Sequence, residues 1–244
     1  MWTARVFTLY PELFPGLLGV GLYKKALKKK LWSLEVINIR DYAMNKHKTV
    51  DDTPFGGGSG MVMMAEPLMN AMEDALDFVE RSEEIKVLYP SPQGKLWNQE
   101  SAEDLSECDK IIFICGHYKG IDERVIEKYV TDEYSIGDFI MTSGEIPTMI
   151  MLDSAMRLVP GTLNNIESAL SDTFSLGLLD HPHYTQPRII DKKTVPEVLI
   201  SGHHKKIESW RQAKREKRTK EKRPELWKRY IGIRESENNN EQNS

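Results

Sequence analysis

Residues 111–147, IIFICGHYKGIDERVIEKYVTDEYSIGDFIMTSGEIP, decide how this chain is read. Ile111 to Cys115 is an unbroken apolar run, the pattern of a short strand buried on both faces. A loop with Gly116 and Gly120 follows, then a short helix from Asp122, then a second loop carrying Gly137 and Gly144. Glycine loops at the carboxyl ends of buried strands are where an open α/β sheet holds a small ligand. The stretch therefore predicts a ligand site.

The flanking sequence supplies the rest of such a sheet. Arg5 to Leu9 alternates as a strand, and Pro11 ends it while opening a helix from Glu12. Gly21 to Lys30 reads as a helix, Leu34 to Ile39 as a strand. Leu68, Met72, Ala75, Leu76 and Val79 mark one helix face, with Pro67 in the first turn. Ile85 to Tyr89 is a strand followed by the tight PSPQG turn at 90–94. A helix from Gln99 to Leu105 precedes Ile111, and Met149, Leu152, Met156 and Val159 outline a closing helix before Pro160. Short apolar strands alternating with helices predict an α/β fold with a mostly parallel sheet covered on both faces.

Residues 41–61 have no periodicity and end in GGGSGM, yet Asp51, Asp52, Pro54 and Phe55 give them more side-chain content than a linker needs. Loops this long in a compact domain are usually functional. The glycines fail G-x-G-x-x-G because Met61 stands where the last one should be, and no GK[ST] follows. Neither a dinucleotide-binding dehydrogenase nor a P-loop ATPase is supported.

The 244 residues suffice for one large domain and a smaller appendage. The net charge of −4 hides an uneven distribution. Between His203 and Tyr230 twelve Lys and Arg face four Glu, about +8, a footprint suited to a polyanion. Ile207, Trp210 and Ala213 are spaced for a helix there, and Pro224 opens another. Residues 161–185 read as an interdomain segment, and the polar tail at 232–244 as disordered. Cys108 and Cys115 form no CxxC pair, and no window of about 18 apolar residues exists. A cytoplasmic protein with no membrane contact is expected. His181, His183, His203 and His204 lack the Cys or carboxylate partners of a zinc site. Asp172 in S-D-T reads as a helix cap and Arg157 as half of a surface ion pair. The residues alone thus describe a ligand-binding α/β domain joined to a nucleic-acid-binding module.

The ordered blocks FTLYPELF, KTVDDTPFGGGSGMVMM, YPSPQG, ICGHYKGIDERVI, SIGDFIMTSGEIP, SDTFSLGLLDHPHYTQP and LISGHHKKIESWR carry a resemblance. From Met1 to about Tyr230 the chain resembles the bacterial tRNA (guanine-N1) methyltransferases of the SPOUT superfamily. The resemblance implies a deep trefoil knot in the C-terminal part of the sheet, residues 1–160 as catalytic domain, 161–185 as a linker carrying the base, and 186–231 as a small all-α tRNA-binding domain. It also implies a homodimer that shares its active site, and bound S-adenosylmethionine. By motif position the donor walls are Tyr89, Pro90, Ser91 and Pro92; then Gly116 and Tyr118; then Ile136, Gly137, Asp138, Phe139, Ile140 and Met141, with Gly144 and Pro147.

The implied reaction methylates N1 of the guanosine 3′ of the tRNA anticodon, with Asp172 as general base and Arg157 stabilising charge on guanine O6. A carboxylate in water, with pKa near 3.9, is a weak base and needs such help. Asp51, Gly56, Gly57, Gly58, Ser59, Gly60, His183, Lys214 and Arg215 are the implied substrate contacts. Three positions depart from the family pattern: His117 for Arg, Lys119 for Glu and Ser143 for Gly. The family is associated with Mg2+, and Lys119 would oppose a cation at its position. Two alternatives share these features: a non-catalytic tRNA-binding relative, and a SPOUT methyltransferase with another RNA target.

Overall fold

The computed structural model describes residues 1–77, 85–163, 172–174 and 177–241. Val79 of the predicted helix face lies outside them. The chain divides into two compact units, Met1–Ile166 and Glu167–Ser244.

The first unit is built on five strands: β1 (Trp2–Thr8), β2 (Trp32–Asn38), β5 (Lys86–Leu96), β6 (Lys110–Ile114) and β7 (Asp132–Ser135). They form one sheet in the order β2-β1-β6-β5-β7, every pair parallel. The period of two sorts their side chains. Ala4, Val6, Ile111, Phe113 and Cys115 enter one buried cluster, and Phe7, Val87, Ile112 and Ile114 the other. Helices α1 (Gly21–Lys28), α3 (Gln99–Ser106) and α5 (Glu145–Met156) cover the first face through Ala26, Leu105, Met151, Leu152 and Ala155. Helices α2 (Ala65–Asp77) and α4 (Glu123–Tyr129) cover the second through Leu68, Ala71, Met72, Ala75 and Val125. Burial of both faces is why the strands read as apolar runs.

Several elements differ from the sequence reading. The helix expected from Glu12 is two short 3-10 turns, Pro11–Leu13 and Gly16–Gly19, because Pro15 interrupts the run. The loop after α4 contains β7, whose polar sequence DEYS hides a strand with Tyr134 and Ser135 buried. The PSPQG turn lies inside β5. Pro90 and Lys95 both oppose Tyr134, so the residues between them bulge from the ladder and pairing resumes at Lys95. Pro90 and Pro92 have no N–H to donate, which accounts for the break.

Residues 51–63 form a hairpin, β3 (Asp51–Asp52) against β4 (Val62–Met63), with the glycines at its tip. In the second unit a two-stranded hairpin, β8 (Ile189–Ile190) and β9 (Lys193–Thr194), precedes α6 (His204–Lys222) and α7 (Pro224–Glu241), so residues 186–231, expected to be all-α, also contain a short antiparallel pair. The last helix runs into the stretch expected to be a disordered tail.

Phe113 is fully buried on the central strand. Phe113→Ala is expected to destabilise the protein by about 3–5 kcal/mol, read from urea denaturation, whereas a cost below about 1 kcal/mol would contradict this packing.

Candidate active site

The three segments singled out by motif converge at the carboxyl end of the sheet. The β5 bulge, the loop after β6 and the loop after β7 line a cavity of about 380 Å³, within the usual range for small-molecule sites, roughly 300–1,000 Å³. Every residue named for the methyl donor lines it except Asp138. The lining also takes in His117, Lys119, Tyr134, Ser135, Thr142 and Ser143. Tyr134 and Ser135 were not legible because β7 did not read as a strand.

The closeness of the loops rests on missing side chains. The Gly144 N–H donates to the Gly116 carbonyl at 2.9 Å. A Cβ on Gly144 would lie 2.8 Å from Gly116 N and 2.9 Å from Cys115 Cα, both backbone atoms that cannot swing away. A Cβ on Gly116 would meet the Tyr89 ring at 2.8 Å. Burial, followed by Glu133 and Glu123, pushes the Tyr89 hydroxyl up to about 12, with an Ile121 backbone hydrogen bond partly offsetting it. It stays neutral and presents an aromatic wall. Tyr118 holds a left-handed backbone, φ 59, a cost that clusters at functional positions.

The glycine hairpin is fastened to this cavity. Met63 N–H donates to the Gly120 carbonyl, Asp122 N–H to the Met63 carbonyl and Lys119 N–H to the Met61 carbonyl, each at 3.0 Å. A Cβ on Gly60 would come within 2.9 Å of Lys119 Cε. Asp51 and Arg40 stand against Tyr118, whose hydroxyl is pushed up by burial and by Asp51, with Arg40 opposing. Asp51 and Gly60 therefore adjoin the cavity mouth, while Gly56, Gly57, Gly58 and Ser59 form the exposed hairpin tip.

Glu145 opens α5 and is fully buried. Its Oε1 accepts from Thr8 Oγ1 at 2.5 Å and lies 2.7 Å from His117 Nε2. Burial pushes this carboxyl up, but the hydrogen bonds of His117 and Thr8, with Ser143 close by, bring it below the ordinary 4.5. Sequence reasoning missed Glu145 and Thr8, because an acid in a first helical turn reads as exposed.

Arg157 caps the other end of α5. It lies within electrostatic reach of Tyr23, whose hydroxyl is raised by burial and by Asp153 and lowered by Arg157. Arg157 does not line the cavity. In the second unit Asp172 is half-buried and precedes Thr173, whose Oγ1 accepts from Asp180 N–H at 3.2 Å. Asp180 is the carboxylate partner that the histidines lacked in sequence. His183 Nε2 is 2.7 Å from its Oδ2 and His181 Nε2 3.7 Å from its Oδ1. Ligand atoms of the three lie within 4.8 Å of one another, but Arg215 Nε, 3.4 Å from Asp180 Oδ1, opposes a cation there. Arg215 also pairs with Glu208 at 3.1 Å, and the Lys214 ammonium lies 5.5 Å from the Trp210 ring centroid. Lys205, Lys206, Lys214, Lys220, Lys222, Lys228 and Arg229 have no salt bridge among the described residues, so the surplus positive charge of α6 and α7 is not neutralised internally.

A parallel α/β unit with a backbone-lined cavity, followed by a unit carrying the strongly basic helix α6, has the features of small-ligand-binding proteins that also meet a polyanion. A family model, tRNA (Guanine-1)-methyltransferase TrmD, matches residues 1–229, and the chain belongs to this family. A protein of Pelagibacter ubique named tRNA (guanine-N(1)-)-methyltransferase is 48% identical over 230 residues, covering 94% of this chain and 99% of that one. One of the same name from Staphylococcus haemolyticus is 50% identical over 223 residues, 91% of this chain and 89% of its own. Another from Alkaliphilus metalliredigens is 46% identical over 224 residues, 92% and 91% of the two chains.

Glu145 gives a pH prediction. Its folded-state value is depressed, so its stabilisation is present above 4.5 and is lost as pH falls through the folded value. Glu145→Gln is expected to flatten that acid limb in urea denaturation at stepped pH. An equally steep limb in the variant would contradict the assignment.

Proposed function

We propose that this protein transfers the methyl group of S-adenosylmethionine to N1 of the guanosine 3′ of the anticodon in tRNA. The observation that carries this reading is the convergence of segments 89–92, 116–120 and 134–147 on one cavity, in a chain whose relatives are named for guanine-N1 methylation of tRNA. The cavity fits the donor: a neutral Tyr89, the apolar Phe139, Ile140 and Met141, and loop backbone suited to the polar edge of an adenine. When bound, the donor supplies an electrophilic sulfonium methyl. A trefoil knot would give loops held this closely a topological reason, since threading keeps them from parting.

The protein's own residues then handle the base. Guanine must leave its stack to reach a recessed methyl donor. The hairpin from Asp51 to Gly60, fastened at Gly120 and Met61, supports a base pocket beside the cavity mouth. Asp172 accepts the N1 proton, leaving the lone pair free to attack, and Arg157 offsets the negative charge that gathers on O6. Lys214 and the unneutralised lysines of α6 and α7 meet phosphates, which position the tRNA, while base contacts specify it. His183, oriented by Asp180, is exposed for such contacts. Arg215, paired to Asp180 and Glu208, serves chiefly to hold that linker segment on α6.

The length of α5 supports a site shared between the subunits of a homodimer. Gly144 and Arg157 cap opposite ends of this 12-residue helix, about 18 Å apart at 1.5 Å per residue. Arg157 thus stands far from its own cavity, and a second copy supplying it resolves the distance. Ile146 and Ile150, one turn apart on α5, and Leu17 beside it are exposed apolar residues that such a partner would cover. Magnesium fits less well. No carboxylate lines the cavity among the described residues, and Lys119 does, so no step is routed through a metal. Among the described residues no helix is long and apolar enough to cross a membrane.

Two anticodon-loop transcripts, one with guanosine at the target position and one with adenosine, test the reading. Methylation of the first alone, mapped by nuclease digestion, is expected; methylation of neither, or of another nucleoside, would overturn it. Asp172→Asn is expected to cut single-turnover methylation about 100-fold or more while S-adenosylhomocysteine affinity stays within about twofold. Turnover like that of the unaltered protein would remove Asp172 from the mechanism.

A further inference from the structure

Thr8, His117 and Glu145 form a buried polar cluster that the proposed methyl transfer does not use. They come from three places in the chain: the end of β1, the loop after β6, and the first residue of α5 directly after the loop that follows β7. Glu145 Oε1 receives both hydrogen bonds, whereas its Oε2 is buried and has no hydrogen-bond partner among the described residues. An ionised carboxylate sealed from water with one oxygen unsatisfied is an expensive way to fill a core. The N-terminus of α5 offsets part of that cost through its dipole, yet an apolar residue of similar volume would be cheaper. Such a conflict between stability and placement is expected where position serves function.

Its placement accounts for it. His117 lines the cavity, and Glu145 holds its ring from the side of the second loop. The His117 backbone N–H donates to Met63 Sδ at 3.2 Å, tying it to the glycine hairpin as well. Its ring lies against Tyr10, centroids 5.2 Å apart, and Tyr118, 6.2 Å apart. Thr8 Oγ1 accepts from the Tyr10 N–H at 3.0 Å while donating to Glu145, so the end of β1 is locked into the same network. One carboxylate oxygen therefore joins the two loops that enclose the cavity.

We infer that His117, acting through Glu145, is a positioning residue that sets the spacing of the two cavity loops and thereby the affinity for the adenosyl ligand. The inference rests on the proposed donor site. A side chain that donates a hydrogen bond from near the Nε2 position preserves the spacing; an apolar one releases the first loop from α5.

The test is calorimetric titration of the full-length protein with S-adenosylhomocysteine, with thermal melts run alongside. His117→Leu is expected to bind at least about tenfold more weakly, and His117→Gln, whose amide can donate to Glu145, within about threefold of the unaltered protein. Binding by His117→Leu within twofold would overturn the inference. So would a His117→Gln variant as weak as His117→Leu, because the ring itself would then be what the ligand needs. Should His117→Leu fail to fold, the His117→Leu/Glu145→Leu pair leaves no unpaired buried charge. That pair is expected to fold and bind weakly, and full affinity in it would overturn the inference. No binding by the unaltered protein would overturn the donor-site reading and this inference with it, whereas a failed expectation confined to the variants overturns this inference alone.

Discussion

The backbone hydrogen bond from Gly144 to Gly116 is the contact on which the site depends. It joins two loops that leave different strands, at a separation no Cβ on Gly144 would allow. Everything that lines the cavity is arranged about it. Tyr89 packs where a Gly116 side chain would be, and the bulge in β5 lets Ser91 and Pro92 reach the same space. Two prolines that cannot serve the ladder and two glycines without side chains turn the end of an ordinary parallel sheet into an enclosure.

Polar interactions around that contact have distinct tasks. The three backbone bonds from residues 61–63 to 119–122 hold the glycine hairpin beside the cavity, so the surface proposed for the base and the pocket proposed for the donor are one piece of structure. Glu145 ties the loop after β6 to the start of α5 from beneath. The second unit contributes in another way. Its cationic side chains outnumber the carboxylates available to them, and Asp180 binds residues near the linker to α6 through Arg215 and through Arg218, whose Nη1 donates to the Asp180 carbonyl at 2.9 Å. The modest overall charge of −4 conceals this separation of an anionic body from a cationic appendage.

Much of the fold was legible because burial on both faces leaves a plain signal. Ile111–Cys115, the helix after Pro67 and the helix before Pro160 were readable from apolar spacing, and of the residues that motif position assigned to the donor all but Asp138 line the cavity. The illegible elements had more than one physical cause. β7 is half charged by composition and is a strand because β5 lies beside it. β3 and β4 are two residues each, too short for any periodicity. The carboxylate partner of His181 and His183 was the neighbouring Asp180, invisible as such until the backbone turned it toward them.

By itself the sequence determined the alternation of β1, β2, β5 and β6 with helices, the glycines at the ligand loops, the basic character of the C-terminal region and the family to which the chain belongs. These are local or linear properties, carried by periodicity, backbone freedom and charge, which need no partner to be read. Only the tertiary structure decided that Glu145 is buried against His117 and Thr8, that the glycine hairpin is fastened to the cavity, and that Arg157 stands at the far end of α5 from it. Those facts depend on which surfaces exclude water together and on how far a rigid helix carries a side chain, and neither can be read along the chain.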